Sequence, residues 1–355
     1  MSAASGMMGQ VNTKRLLAER LRSHRLTAPA RTVADAASHL LAVQSQDFVA
    51  GRWALGARTR GAATLSQVDA ALARGEIVRA WPLRGTLHIV PARDLGWMLS
   101  VTAPRQHQQA ASRHRQLGID DTVVTTAERA LRERMDGGMT RAQAFEAFAS
   151  VGIDPKDQRG IHLLFVLTIN GVLCQGPVAG KDQLFVLAEE WITDAAQPDD
   201  PLAELFVRYV AGHGPAGAAD LAWWAGLTLG QAREAVERGR HRVTEVEDGV
   251  FVAAESPRRA AGAASVHALP AFDEYYISYA DRTPVCSPEH AMAVGPGKNG
   301  MVRPTIIAGG RVAGTWSHAG AGGRAPEPQF FAPPSDEVAD AAASALARFA
   351  AFRAG

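Results

Sequence analysis

The spacing of apolar residues switches from helical to alternating three times along the chain. Apolar positions at helical intervals over 64–74 stop at Gly75, a residue suited to ending a helix. Two short β-branched runs follow at 77–81 and 85–90. The same order returns with helices at 140–152 and 160–170 and strands at 172–175 and 183–187. It returns again with a helix at 228–239 and strands at 242–246 and 250–253. Helices followed by a hairpin are the elements of a winged helix, which docks a helix or a wing on nucleic acid. DNA is therefore the first partner to consider.

The flanking pattern completes these units. Leu16, Leu17 and Leu21 place a helix over 13–25. Val33, Ala36, Ala37, Leu40 and Leu41 place a second behind an N-cap at Thr32, ending near 43–46. A helix over 97–116 leads to an Asp-rich connection, and Pro198-Asp199-Asp200-Pro201 punctuates the chain before the third unit. After Pro257 the pattern changes to a Gly/Pro-rich loop at 295–300, a hairpin over 305–316 turning at Gly309-Gly310, surface loop at 320–334 and a closing helix at 336–352. The expected class is α+β. Three tandem winged-helix units would occupy 1–118, 119–197 and 198–256, and a β-rich C-terminal region 257–355.

Charge sharpens the nucleic-acid expectation. The whole chain has a net charge of +1, but residues 1–135 hold 19 Lys and Arg against 10 Asp and Glu, leaving 18 against 26 in the remainder. A basic third beside an acidic remainder can present positive potential on one surface. Lysine stands only at 14, 156, 181 and 298, so the cation is nearly always Arg. That suits bidentate phosphate contacts, and it also suits a GC-rich genome. Cys174 and Cys286 cannot build a disulfide framework, and no Cys/His spacing suggests zinc, so neither metal nor cofactor is expected. No apolar run is long enough to span a bilayer and no secretory signal precedes the first helix. The expectation is a cytoplasmic, nucleoid-associated monomer.

The most suggestive polar cluster is Gln44-Ser45-Gln46-Asp47. Residues two apart diverge in a helix and converge in extended chain, so the two amides share a side only if the helix ends by about Ser45. Two carboxamides on one side offer donors and acceptors for a single water. A pair of solvated residues at a helix end has the same sequence. Asp273-Glu274 could form a carboxylate pair, or a turn before an aromatic strand.

Four segments give a wider context. They are 79–88 (RAWPLRGTLH), 269–275 (LPAFDEY), Gly214-Pro215 with 223–227 (WWAGL), and Asn299-Gly300 with 310–316 (GRVAGTW). Taken in their order along the chain, they resemble the winged-helix DNA glycosylases of the AlkZ/YcaQ-like family over nearly the whole chain. The resemblance implies three tandem winged helices, and a catalytic Gln-x-Gln motif in the AlkZ-like branch, matched here by Gln44 and Gln46. Ser45 stands where the family often has an aliphatic residue. The implied reaction is excision of alkylated purines, including N7-alkylguanines and interstrand crosslinks made by genotoxic natural products. The implied partner is double-stranded DNA carrying such bases. Gln44 and Gln46 would orient a water at the sugar, with Asp47 as a rival that could stabilise developing cation, cap a helix or pair with Arg52. His88 would touch phosphate or shape the pocket, or serve as a structural strand histidine. Arg79 and Arg84 on the first wing and Lys298, Asn299 and Arg303 in the C-terminal loop are candidate DNA contacts. Trp81, Trp223 and Trp224 read as packing residues. The alternatives are a non-enzymatic winged-helix regulator and, more remotely, a small-molecule hydrolase using Asp273 and Glu274.

Overall fold

Threonine caps set the helix starts. Thr32, Thr64, Thr140 and Thr228 each accept a hydrogen bond from the backbone N–H three residues on. At the last three a glutamine at the N3 position returns the bond, closing a capping box. The computed structural model describes residues 2–61, 63–254, 265–297, 300–317 and 325–355, with side chains from Thr13 onward.

The N-terminal part holds α1 (Ser2–Ser23), α2 (Val33–Leu40), the two-residue strand β1 (Val43–Gln44), α3 (Phe48–Gly56) and α4 (Leu65–Ala73). The hairpin β2 (Ile77–Leu83) and β3 (Thr86–Pro91) follows. Next come α5 (Leu95–Gln116), α6 (Asp121–Arg132), α7 (Arg141–Ser150), α8 (Arg159–Ile169), the hairpin β4 (Leu173–Ala179) and β5 (Asp182–Leu187), and the short α9 (Ala188–Trp191). The third group is α10 (Pro201–His213), α11 (Ala218–Ala225) and α12 (Leu229–Gly239), with β6 (Val243–Glu247) and β7 (Val250–Ala253). The C-terminal region contains β8 (Val266–Leu269), α13 (Glu274–Ile277), α14 (Pro288–Val294), β9 (Thr305–Ala308), β10 (Arg311–Trp316), β11 (Pro328–Phe330) and α15 (Asp336–Ala354).

This is a mixed α/β architecture in which the first two hairpins do not stand apart. They join edge to edge in one antiparallel sheet of order β1-β3-β2-β4-β5, the junction being the single pairing Arg79↔Gln175. The third hairpin is a separate two-stranded ribbon, and the C-terminal strands form a sheet of order β11-β10-β9-β8. Two cores result. One gathers residues of β2 and β3, the helices α5 to α8, and the apolar faces of α10 to α12. The other packs α2 to α4 against the C-terminal sheet and α15. The hairpin β2–β3 supplies residues to both cores: Val78, Ala80 and Trp81 to the first, Ile77 and Ile89 to the second.

Three local expectations change. Helix α3 has no counterpart in the pattern reading, because all of Ala50 to Gly56 is buried and no polar face marks a period. Helix α6 occupies what reads as an Asp-rich connection; Asp120 is its N-cap. The expected surface loop at 320–334 contains β11, paired with β10 from Gly314↔Phe330 to Trp316↔Pro328.

Candidate functional site

Helix α2 ends at Leu40, whose successor Leu41 takes a left-handed φ of 64°, and the chain runs extended into β1. Gln44 pairs with His88 on β3, and Ser45 prolongs the ladder by donating its N–H to Leu87 O at 2.7 Å. The strand β1 ends at Gln44, and the side chains of Gln44 and Gln46 both reach the β2–β3 hairpin while that of Ser45 lies against α3. Ser45 is wholly buried under α3, where Gly51 leaves no side chain between helix and strand. Asp47 is exposed and caps α3, accepting from Ala50 N at 3.1 Å. Arg52 pairs with Asp69 at 2.7 Å, so the alternative of an Asp47–Arg52 ion pair is not adopted.

Each glutamine accepts a bond from a donor on the same hairpin. Arg84 Nη2 donates to Gln44 Oε1 at 3.2 Å, and Leu87 N donates to Gln46 Oε1 at 3.2 Å. Guanidinium and backbone N–H groups only donate, so the contacted atom must be the carbonyl oxygen in both. Each amide therefore keeps its NH₂ group and one carbonyl lone pair for another partner. Gln44 is nearly buried and Gln46 exposed.

The backbone of the motif is held as firmly. Arg79 donates from Nη2 and Nε to Ser45 O at 2.7 and 3.0 Å, from Nε to Ser45 Oγ at 3.1 Å, and from Nη1 to Gln175 Oε1 at 2.7 Å. Burial lowers its pKa to about 10, and the neighbouring Arg52 pushes the same way. Arg79 is thus turned inward and spent on protein acceptors, which corrects its expected role as an exposed phosphate ligand. The serine in the middle of the motif has a specific partner in this arginine. Arg84 also points inward, to Trp224 O and, at 3.4 Å, to His88 Nε2. His88 is fully buried; burial first, then the charge of Arg84, holds its pKa well below 6.5. Its Nδ1 meets Thr86 O at 2.9 Å, so Nδ1 carries the proton and Nε2 is an acceptor.

Glu274, distant in sequence, closes the cluster from behind. Its carboxylate accepts from Gln44 N at 2.7 Å, Trp224 Nε1 at 3.0 Å and Ser278 Oγ. Burial raises its pKa, opposed by the charge of Arg84 and by the bonds from Ser278 and Gln44. Asp273 faces elsewhere, in a buried two-pronged ion pair with Arg58 at 2.7 and 2.8 Å, so the adjacent carboxylates do not work as a pair. Trp224 packs in the core as expected, whereas Trp223 is about half exposed at 47%. Neither the Glu274 contact nor the Ser45–Arg79 bond is anticipated in the sequence reading.

Arg303 is exposed and its backbone bonds Val294 O, with no described contact to the glutamines. Lys298 and Asn299 fall outside the described residues. Arg20, Arg52, Arg58 and Arg79 are all buried, so part of the N-terminal positive charge serves the interior. A pocket of about 380 Å³ beside the β2–β3 turn is walled by Trp81, Gln106, Arg113, His162 and Phe165. Among the described residues no cluster of His, Cys, Asp and Glu could hold a metal, and no helix is long and apolar enough to cross a membrane.

Comparison with known proteins gives concordant matches. A family model described as AlkZ-like DNA glycosylase matches residues 37–352. An interstrand DNA cross-link repair glycosylase of Streptomyces sahachiroi is 26% identical over 306 residues, covering 80% of this chain and 82% of that protein. The solved structure of Streptomyces sahachiroi DNA glycosylase AlkZ aligns with a TM-score of 0.79 at 22% identity, over 96% of this chain and 97% of that one. At that identity the structural likeness speaks for the fold.

Proposed function

The chain belongs to the AlkZ-like DNA glycosylase family of hydrolytic enzymes, and from that premise we propose that it excises N7-alkylated guanine from duplex DNA, with Gln44 and Gln46 placing the attacking water. Bulky adducts and interstrand crosslinks are included among its substrates, a reading supported by the name of the Streptomyces relative.

The observation that carries the assignment is the shared anchoring of two uncharged amides on one hairpin, each with an NH₂ group and a lone pair left over. The chemistry asks for little more. Alkylation at N7 makes guanine cationic, so the C1′–N9 bond can break with its electron pair going to the base, which leaves neutral. No general acid is needed. The sugar becomes oxocarbenium-like, and water adds at C1′ and loses a proton to solvent. Glutamines are too weakly basic to remove that proton beforehand, but they can aim the water's lone pair. Asp47, occupied as a helix cap, ranks behind them. No lysine stands in or next to the motif, so the product is an abasic site without lyase cleavage.

The three helix–hairpin groups are read as tandem winged-helix units at about 1–118, 119–197 and 198–256, followed by the C-terminal region 257–355. On this reading they hold the duplex mainly through its backbone, the chain acting as a monomer, with Arg303, Lys298 and Asn299 as candidate DNA contacts from the sequence. The test is to incubate the protein with duplex containing one N7-alkylguanine. Free base is then measured directly, and the abasic site by alkaline strand cleavage. Release of the base supports the proposal. Binding without release would favour a non-enzymatic DNA-binding protein.

A further inference from the structure

The geometry points to Arg84 as the positioning residue for Gln44, with Glu274 as the counter-charge that permits a cation there. This rests on the proposal that Gln44 acts at the lesion. Arg84 sits in the β2–β3 turn with a left-handed φ of 53°, a conformation that a side-chain-bearing residue rarely adopts. Its guanidinium reaches three acceptors in the site: Gln44 Oε1, His88 Nε2 and Trp224 O. The histidine can accept only because Thr86 O holds its proton on Nδ1. The orientation of the Gln44 amide thus descends from the strand backbone through His88 and Arg84.

Arg84 and Glu274 make no direct ion pair among the described contacts. They meet through two intermediaries. Gln44 is bonded by Arg84 at its side-chain carbonyl and by Glu274 at its backbone N–H; Trp224 is bonded by Arg84 at its backbone carbonyl and by Glu274 at its indole N–H. A lone arginine beside a developing oxocarbenium would oppose the reaction, and the buried carboxylate offsets that field. Gln46 has a different status: it is exposed and its side chain is held by one backbone donor. Gln44 is therefore the fixed amide of the pair and Gln46 the adjustable one, and only Gln44 depends on Arg84.

The test uses Arg84→Met, Arg84→Lys, Glu274→Gln and the Arg84→Met/Glu274→Gln double variant in the full chain. Excision from a 7-methylguanine duplex is followed under single turnover with enzyme in excess, and duplex affinity is measured separately. Side-chain amide NMR signals of protein labelled with ¹⁵N-glutamine are recorded without DNA. Arg84→Met should lower the saturating rate about 10- to 100-fold while affinity changes less than about threefold, and Arg84→Lys should recover part of the loss. The double variant should lose less than the product of the two single losses. The Gln44 amide signals should move in Arg84→Met while those of Gln46 stay. Unchanged Gln44 signals, or a loss confined to DNA affinity, would overturn the inference. Full activity in Gln44→Ala would instead remove the reading beneath it, and the NMR comparison would still decide whether Arg84 orients that amide.

Discussion

Replacing Gly51 by alanine tests whether the packing of α3 sets the geometry of the glutamine motif. Gly51 lies mid-helix, where alanine is ordinarily preferred by about 0.5–1 kcal/mol. Here the added Cβ would fall 2.3 Å from Ser45 Cβ, 2.9 Å from Ser45 Cα and 3.3 Å from Gln44 O. Carbon atoms in contact prefer roughly 3.5–4.0 Å, so helix and strand must part by about 1 Å or more. Ser45 has little room to yield, because Leu87 O holds its N–H and Arg79 holds its carbonyl and hydroxyl. Overpacking of this kind costs about 1–3 kcal/mol, which outweighs the gain in helix propensity. A displacement near 1 Å in a positioned catalytic group can cost on the order of 10²-fold in rate. The variant should therefore be less stable in urea unfolding and should excise 7-methylguanine about 10- to 100-fold more slowly under single turnover. A variant that is more stable than the parent and fully active would refute the reasoning.

Three further outcomes follow from the same geometry. Arg58→Met removes one member of a buried ion pair and leaves the Asp273 carboxylate alone in the core, so urea unfolding should show a loss of about 3–5 kcal/mol; a loss below about 1 kcal/mol would contradict this. Asp47→Asn keeps the capping oxygen, and its excision rate should stay within about threefold of the parent; a hundredfold fall would return Asp47 to the chemistry. For pH, burial depresses the pKa values of His24, His88 and His213, the last to about 3, below the unfolded value near 6.5. These residues bind protons in the unfolded state first. Their stability contribution is present above about pH 6.5 and lost as pH falls, by up to about 1.4 kcal/mol per pH unit for each. Glu274, raised by burial, works in the opposite sense over its own window above about 4.5, as a single group against these three and against His39, His114, His162 and His267, which burial lowers as well. Unfolding free energy should decline from pH 7 to pH 5, and a flat or rising profile would contradict the histidine assignment.

Much of the scaffold is legible because it is local. A threonine followed three residues later by glutamine marks a helix start at 64, 140 and 228, and the hairpins announce themselves by alternation. The end of α2 is legible only to within a few residues: the apolar period places it near 43–46, and the helix stops at Leu40. Helix α3 is hidden because a segment buried on every side has no polar face to set a period. What surrounds the glutamines is hidden for another reason. Glu274 lies 230 residues from Gln44, and no local pattern says that a carboxylate will accept from a distant strand N–H. Arginines on a hairpin read as exposed cations, yet Arg79 finds enough acceptors in Ser45, Gln175 and Gln183 to be buried. The resemblance supplies the motif; the supporting shell comes from the three-dimensional arrangement.

The central claim is that the Gln44 and Gln46 amides act together on the sugar of the damaged nucleotide. The most direct measurement is the saturating single-turnover rate of 7-methylguanine release for the parent, Gln44→Ala, Gln46→Ala and the double variant, with duplex affinity determined for each. The account predicts a fall of at least about tenfold for each single variant, little further loss in the double, and nearly unchanged affinity. Parental rates in the folded double variant would contradict it.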